Sequence, residues 1–76
     1  MEKALVLITT HSSKDTKVLM EINELDVVTE THLIYGEYDV YTMIEAETLQ
    51  QLQDVVINKI RSIDGVRSTI TCVTAG

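Results

Sequence analysis

Proline, phenylalanine and tryptophan are absent from this chain of 76 residues, cysteine occurs once, and there are only six basic residues. The single cysteine, Cys72, excludes an internal disulfide and any metal cage built from cysteine thiolates. With no C-x-x-C pair, the metal-trafficking and iron–sulfur uses of small α+β domains fall away too. Lys3, Lys14, Lys17, Lys59, Arg61 and Arg67 form no run, and twelve acidic residues outweigh them to a net charge of −6. Nucleic-acid affinity rests on Lys and Arg set against phosphates, so this balance speaks against direct binding of DNA or RNA and against adhesion to an anionic membrane. The first apolar run, Ala4 to Ile8, is far too short for a signal peptide or a membrane span, and a cytoplasmic location is expected. Without proline, low-complexity tract or linker, residues 1–76 read as one domain. At 45% apolar the chain has the composition of a globular protein. Below about 80 residues, however, a lone core contributes only about 3–5 kcal/mol, so self-association is expected to add to it.

What is present divides into six elements. Residues 3–10 (KALVLITT) are apolar on both faces, the mark of a central strand. A helix over 14–24 follows from the spacing of Val18, Leu19, Ile22 and Leu25, with Ser12 or Ser13 as its N-cap and Asp15 in its first turn. Strands over 26–35 and 38–46 flank Gly36 as a hairpin. In the second of these, Val40, Thr42, Ile44 and Ala46 face one way and Tyr41, Met43 and Glu45 the other. Leu49, Leu52, Val55, Val56, Ile60 and Ile63 make one helical stripe, with Thr48 as N-cap and Gly65 where the helix stops. The last strand, Val66 to Thr74, is rich in β-branched residues. The order β-α-β-β-α-β predicts an α+β, ferredoxin-like sandwich, a four-stranded antiparallel sheet with two helices on one face. If Ala4, Val6 and Ile8 pack under the helices, Leu5 and Leu7 project from the other side, or the reverse, and Tyr41 and Met43, or their alternates, join them there. A contiguous apolar face left in water marks an interface, so a homodimer built sheet against sheet is expected.

The turn itself stands out. Tyr35-Gly36-Glu37-Tyr38-Asp39 places two of the three aromatic residues and two carboxylates where small polar residues are usual. It reads either as a decorated hairpin or as a loop that grips a ligand or partner. Glu37 and Asp39 would suit acid–base work or an ammonium group, and no nucleophile or phosphate loop accompanies them. His11 and His32 lack the spacing for a metal site, which needs three or four convergent ligands; Glu30 shares a face with His32. Cys72 lies in a β-branched strand with no base beside it, as expected for a small apolar residue rather than a nucleophile. Arg67-Ser68-Thr69-Ile70-Thr71 offers a guanidinium, which suits carboxylates, and hydroxyls that donate and accept. With the acidic turn, these are complementary groups for the two charged ends of an α-amino acid. No cofactor is implied.

Three segments together resemble the ligand-binding (RAM) domain of the Lrp/AsnC family of transcriptional regulators. They are Ala4-Leu5-Val6-Leu7-Ile8, Gly36-Glu37-Tyr38-Asp39-Val40, and the I-x-x-I-x-G-V-x-x-T pattern from Ile60 to Thr69, continuing to Thr71; the likeness runs from Ala4 to Thr74. The resemblance implies the same sandwich, a dimer through the sheets, and rings of eight or ten subunits that bind amino acids between dimers. It places the ligand site at Gly36, Glu37, Tyr38 and Asp39, with Ser68, Thr69 and Thr71 from the last strand. Full-length members carry a helix-turn-helix domain ahead of this module, whereas Met1 here leads directly into the first strand. The chain therefore reads as a stand-alone, non-enzymatic effector-binding module that regulates indirectly, with full-length family members as candidate partners. Two alternatives share the topology. One is a small dimeric oxygenase or isomerase, for which His32 and Tyr41 are the only candidates. The other is an ACT-like regulatory module, which a glycine in the loop after the first strand would favour; His11-Ser12-Ser13-Lys14 has none.

Overall fold

A computed structural model of the chain describes residues 1–75. Its elements are β1 (Glu2–Thr10), α1 (Asp15–Asn23), β2 (Val28–Leu33), β3 (Val40–Ala46), α2 (Leu49–Val55), which runs directly into a π-helical segment (Val56–Ile60), and β4 (Val66–Val73). The strands form one antiparallel sheet in the order β2-β3-β1-β4. This is the ferredoxin-like sandwich, with β1 in the interior of the sheet, as its two apolar faces require. At one end of the sheet the two ends of the chain run side by side, and Thr74 N donates to Lys3 O at 2.9 Å.

Period-two burial sorts the residues between the faces. Ala4, Val6 and Ile8 of β1 and Val40, Thr42, Ile44 and Ala46 of β3 are buried beneath the helices. They meet Val18 and Ile22 of α1, and Leu52, Val56 and Ile60 from the stripe on α2 and its continuation. Each valine, leucine or isoleucine among them, fully withdrawn from water, contributes about 1.5–3 kcal/mol. Thr42 is the one polar side chain in this core. Its hydroxyl lies 2.9 Å from that of Thr31, which donates to Tyr41 O at 3.1 Å. With the Thr31 proton so committed, Thr42 donates to Thr31. Thr31→Val is therefore expected to strand a buried hydroxyl and to cost about 1–3 kcal/mol, whereas Thr42→Val removes the hydroxyl itself and costs less. Urea denaturation of the two variants checks the order; equal losses would mean that Thr42 finds another acceptor.

Local signals set most boundaries. Thr48 caps α2 through a capping box: its hydroxyl accepts from Gln51 N at 3.2 Å, while Gln51 Oε1 accepts from Thr48 N at 3.2 Å. The expected serine cap of α1 is absent. Lys14 occupies the N-cap position without a side-chain bond, because the turn closed by Lys14 N to His11 O, with Ser13 at φ 65°, leaves Ser13 one residue ahead of the cap. Asp15 Oδ1 accepts from Thr16 N instead, at 2.8 Å. β2 and β3 are shorter than the alternation suggests, since the chain leaves the ladder at Ile34 and rejoins it at Val40.

The other face of the sheet carries no helix. Across it run two rows, Met43–Leu5–Cys72 and Tyr41–Leu7–Ile70, each in register over β3, β1 and β4. Leu5, Leu7, Tyr41 and Met43 are half-buried within one chain, and Ile70 is exposed. Polar groups rim the patch: a Lys3–Glu45 ion pair at 3.9 Å, the hydrogen-bonded hydroxyls of Thr9 and Ser68, and Glu30 with His32 on β2. An apolar centre inside a polar rim has the anatomy of a protein interface.

Candidate functional site

The 34–39 turn is fastened to β1. Gly36 takes φ 134°, a backbone that side chains resist, and stands in open space. Ile34 N donates to Asp39 O at 3.0 Å, and Asp39 N donates to Ile8 O at 2.9 Å. The Asp39 carboxylate serves the same corner. Its Oδ2 accepts from Thr10 N at 2.8 Å and from Thr10 Oγ1 at 3.3 Å. Glu37, by contrast, is exposed and has no partner among the described residues. Tyr38 is half-buried and Tyr35 is wholly exposed. The two carboxylates thus differ in kind: Asp39 holds the turn, and Glu37 is free to meet something else.

The last-strand candidates divide between the two sides of the sheet. Ser68 pairs with Thr9 and belongs to the open face. Thr69 pairs with Ile8 and Thr71 with Val6, both core positions, so these threonines lie on the helix side. They remain accessible there because the helix layer does not extend over the edge strand; no residue of β4 is buried. Between β4 and the second helix runs a groove of about 470 Å³, with Thr69, Thr71, Gln53 and Arg61 as its polar lining and Val56, Ile57 and Val73 as its apolar lining. Within one chain, then, the seven candidates do not form a single pocket. The turn sits against the last residues of β1, Ser68 on the open face, and Thr69 and Thr71 in the groove.

Arg61 and Gln53 escaped the sequence reading, which singled out Arg67 instead. Arg67 is exposed at the start of β4. Gln53, Ile57 and Arg61 recur every fourth residue, one position along from the core stripe Leu52–Val56–Ile60; that second stripe was the available signal. The π segment lies in this stretch. Arg61 N donates to Val56 O at 2.9 Å across five residues, so the helix is widened where it borders the groove. His32 and Tyr41, the residues an enzyme of this architecture would call on, pair with each other across β2 and β3, with ring centroids 6.1 Å apart. They lie on the open face, away from the cleft between sheet and helices, and His32 is hydrogen-bonded to Glu30 at 2.9 Å.

The sequence model of the Lrp/AsnC ligand-binding domain matches residues 3–75. The chain belongs to the Lrp/AsnC family. Among its relatives, the regulatory protein AsnC of Escherichia coli strain K12 is 36% identical over 63 residues, covering 82% of this chain and 41% of AsnC. The chain spans about two fifths of the length of the curated relatives it matches. The crystal structure of FFRP-DM1 superposes with a TM-score of 0.95 at 29% identity, over 99% of this chain and 100% of that one. The structure of E. coli AsnC gives 0.92 at 29% identity, over 99% of this chain and 51% of AsnC. A transcriptional regulator of Neisseria meningitidis, described as a complex with L-Met, shares the fold at a TM-score of 0.86 and 14% identity, over 99% of this chain and 50% of that one. As an Lrp/AsnC ligand-binding domain, the chain is of a kind found in transcriptional regulators. No helix among the described residues is long and apolar enough to cross a membrane.

Proposed function

We propose that this domain is a non-enzymatic sensor that binds an amino acid between subunits and couples its occupancy to assembly. The observation that carries the reading is a mismatch within one chain. Glu37, free for an ammonium group, stands on the turn, while the groove that holds Arg61, Thr69 and Thr71 lies on the helix side of the opposite edge strand. Each half lacks what the other offers, so a complete site for an α-amino acid needs two chains. The L-Met in the complex of the Neisseria regulator, which shares this fold, supports a small amino acid as the effector. Dimers joined through the open sheet face would supply the unit, and a ring of eight or ten subunits the arrangement in which turn and groove of neighbours meet. Ser68, on the open face, would act at the dimer contact rather than on the ligand. Asp39 would act by holding the turn, with Gly36 and Tyr38 shaping it. With six basic residues against twelve acidic, the domain would influence transcription or amino-acid metabolism through full-length partners rather than by reading DNA itself.

Binding to the folded assembly alone stabilises it, by about 2.7 kcal/mol at a hundredfold excess over Kd. A thermal-shift screen of the twenty amino acids, followed by gel filtration of any that raises Tm, tests the reading. At least one is expected to raise Tm and to change the assembly size. Glu37→Gln is expected to abolish that response while leaving the ligand-free stability within about 0.5 kcal/mol, as for an exposed turn residue. No response to any amino acid would remove the amino-acid assignment; an unchanged response in Glu37→Gln would remove the turn from the site.

A further inference from the structure

We propose that Arg61 is the carboxylate anchor of the groove beside β4, and that this groove selects small carboxylates bearing an aliphatic side chain. The inference deepens the effector reading above and rests on it for the biological ligand, although the groove's preference belongs to one chain and is measurable alone.

Charge around the molecule singles the groove out. Three of the six cations are committed: Lys3 to Glu45, Lys14 to Asp64, and Lys17 to Glu21 and Asp64. Arg61 has no acidic partner among the described residues, and it lines the groove beside β4. The other described concavities all contain carboxylates: Glu21 and Glu24 at the end of α1, beside Lys17; Glu47 ahead of α2 and Asp54 near its end; and Glu2 at the start of β1, beside Lys3. Acidic groups outweigh the cation in the first two, and in the third Lys3 is already paired with Glu45, all within a chain of net charge −6. The groove beside β4 has no acidic lining. It offers a guanidinium whose planar fork matches a carboxylate in two parallel bonds, with the hydroxyls of Thr69 and Thr71 and the amide of Gln53 as further donors.

The rest of the lining decides the tail. Ile57, 56% exposed, and Val73, 43% exposed, are aliphatic groups left in water along the groove. A ligand's hydrocarbon laid over them removes apolar surface from water on both sides, whereas a second charged group placed there would lose hydration without a partner. The widened helix turn at Val56–Ile60 is a further mark, since π-turns concentrate at functional sites. The groove thus reads the carboxylate and side chain of an amino acid and leaves the ammonium to the neighbouring subunit's turn.

Two fragments of leucine separate these contributions: isocaproate, which keeps the carboxylate and tail, and isopentylamine, which keeps the amine and tail. Two-dimensional amide NMR of the intact chain is the readout, on the wild type, Arg61→Gln and Glu37→Gln. Isocaproate is expected to shift the amide signals of Thr69, Thr71 and Val73 in the wild type and in Glu37→Gln, and isopentylamine to shift neither. In Arg61→Gln the affinity for isocaproate is expected to fall about tenfold to a hundredfold, as for loss of a charge-assisted bond. Isocaproate binding that is undiminished in Arg61→Gln, absent in the wild type, or centred on residues outside the groove overturns the proposal. If an amino acid still shifts Tm in Arg61→Gln as in the wild type, the anchor is wrong and the sensor reading survives. If isocaproate binds as expected but no amino acid shifts Tm, the groove's chemistry stands and the sensor reading fails.

Discussion

Gly65→Ala is expected to destabilise the domain by roughly 2–4 kcal/mol, from backbone strain and overpacking together. Gly65 holds φ 107° in the loop between the second helix and β4, and it is buried. A β-carbon there would stand 2.9 Å from Lys14 Cβ and 3.1 Å from Val18 Cγ2. Neither neighbour can retreat easily. Val18 is wholly buried in the core, and Lys14 sits at the start of α1, tied by its amide to His11. The loop is pinned from two more directions, by His11 N donating to Gly65 O at 2.9 Å and Lys17 Nζ donating to Asp64 O at 2.8 Å. For a domain of this size the loss corresponds to a fall in Tm of at least about 8 °C. Gly36 supplies the control. Its φ of 134° is equally unfriendly to a side chain, yet nothing lies within 4 Å of the added atom. Gly36→Ala should therefore cost only the strain, about 1–3 kcal/mol, and less than Gly65→Ala. Thermal denaturation of the two decides; equal losses would mean that α1 yields to the added methyl.

If the proposed dimer closes through the open sheet face, Leu7→Glu is expected to dissociate it while leaving the fold in place. Leu7 sits at the middle of the open face, between Tyr41 on β3 and Ile70 on β4, and contributes nothing to the core beneath the helices. In a dimer closed through this face, its replacement buries a carboxylate without a cation, at a cost of several kcal/mol. The two-fold symmetry of the contact places the charge on both partners. Each 1.4 kcal/mol is tenfold in Kd, so the dimer is expected to weaken by a factor of about a thousand or more. Sedimentation equilibrium reads the mass, and far-UV circular dichroism separates dissociation from unfolding. A Leu7→Glu protein that sediments as the wild type would exclude the open face from the assembly.

The sandwich was legible because its signals are local and periodic. Alternation in β1 and β3 sorted buried Ala4, Val6, Ile8, Val40, Thr42 and Ile44 from the open face, and the Leu52–Val56–Ile60 stripe marked the second helix. The capping box at Thr48 and the positive φ of Gly65 behaved as their positions imply. The site was legible only in pieces. Strand alternation by itself separates Ser68 from Thr69 and Thr71, a division the grouping of these residues passed over. That Asp39 is taken up by Thr10 depends on how β1 lies beside the turn, a pairing across the sheet that no short window contains. Arg61 was overshadowed by Arg67 for a similar reason. Which arginine borders a groove depends on how far the second helix stands from the edge strand, and on the π segment at the helix end.

The place of β1 in the sheet also orders events in time. β1, which precedes the other three strands in chain order, is bonded on one side to β3 and on the other to β4, with Ala4 opposite both Ile44 and Val73. Until the last segment emerges, β1 has at most half of its ladder, and its second edge is an apolar template without its own partner. Closing so long a loop is entropically slow relative to local structure. The nascent chain therefore spends its vulnerable interval with a sticky strand exposed, and a second copy emerging nearby offers the same unfinished edge. In this domain the strand with the most to hide is the one that waits longest for its last neighbour.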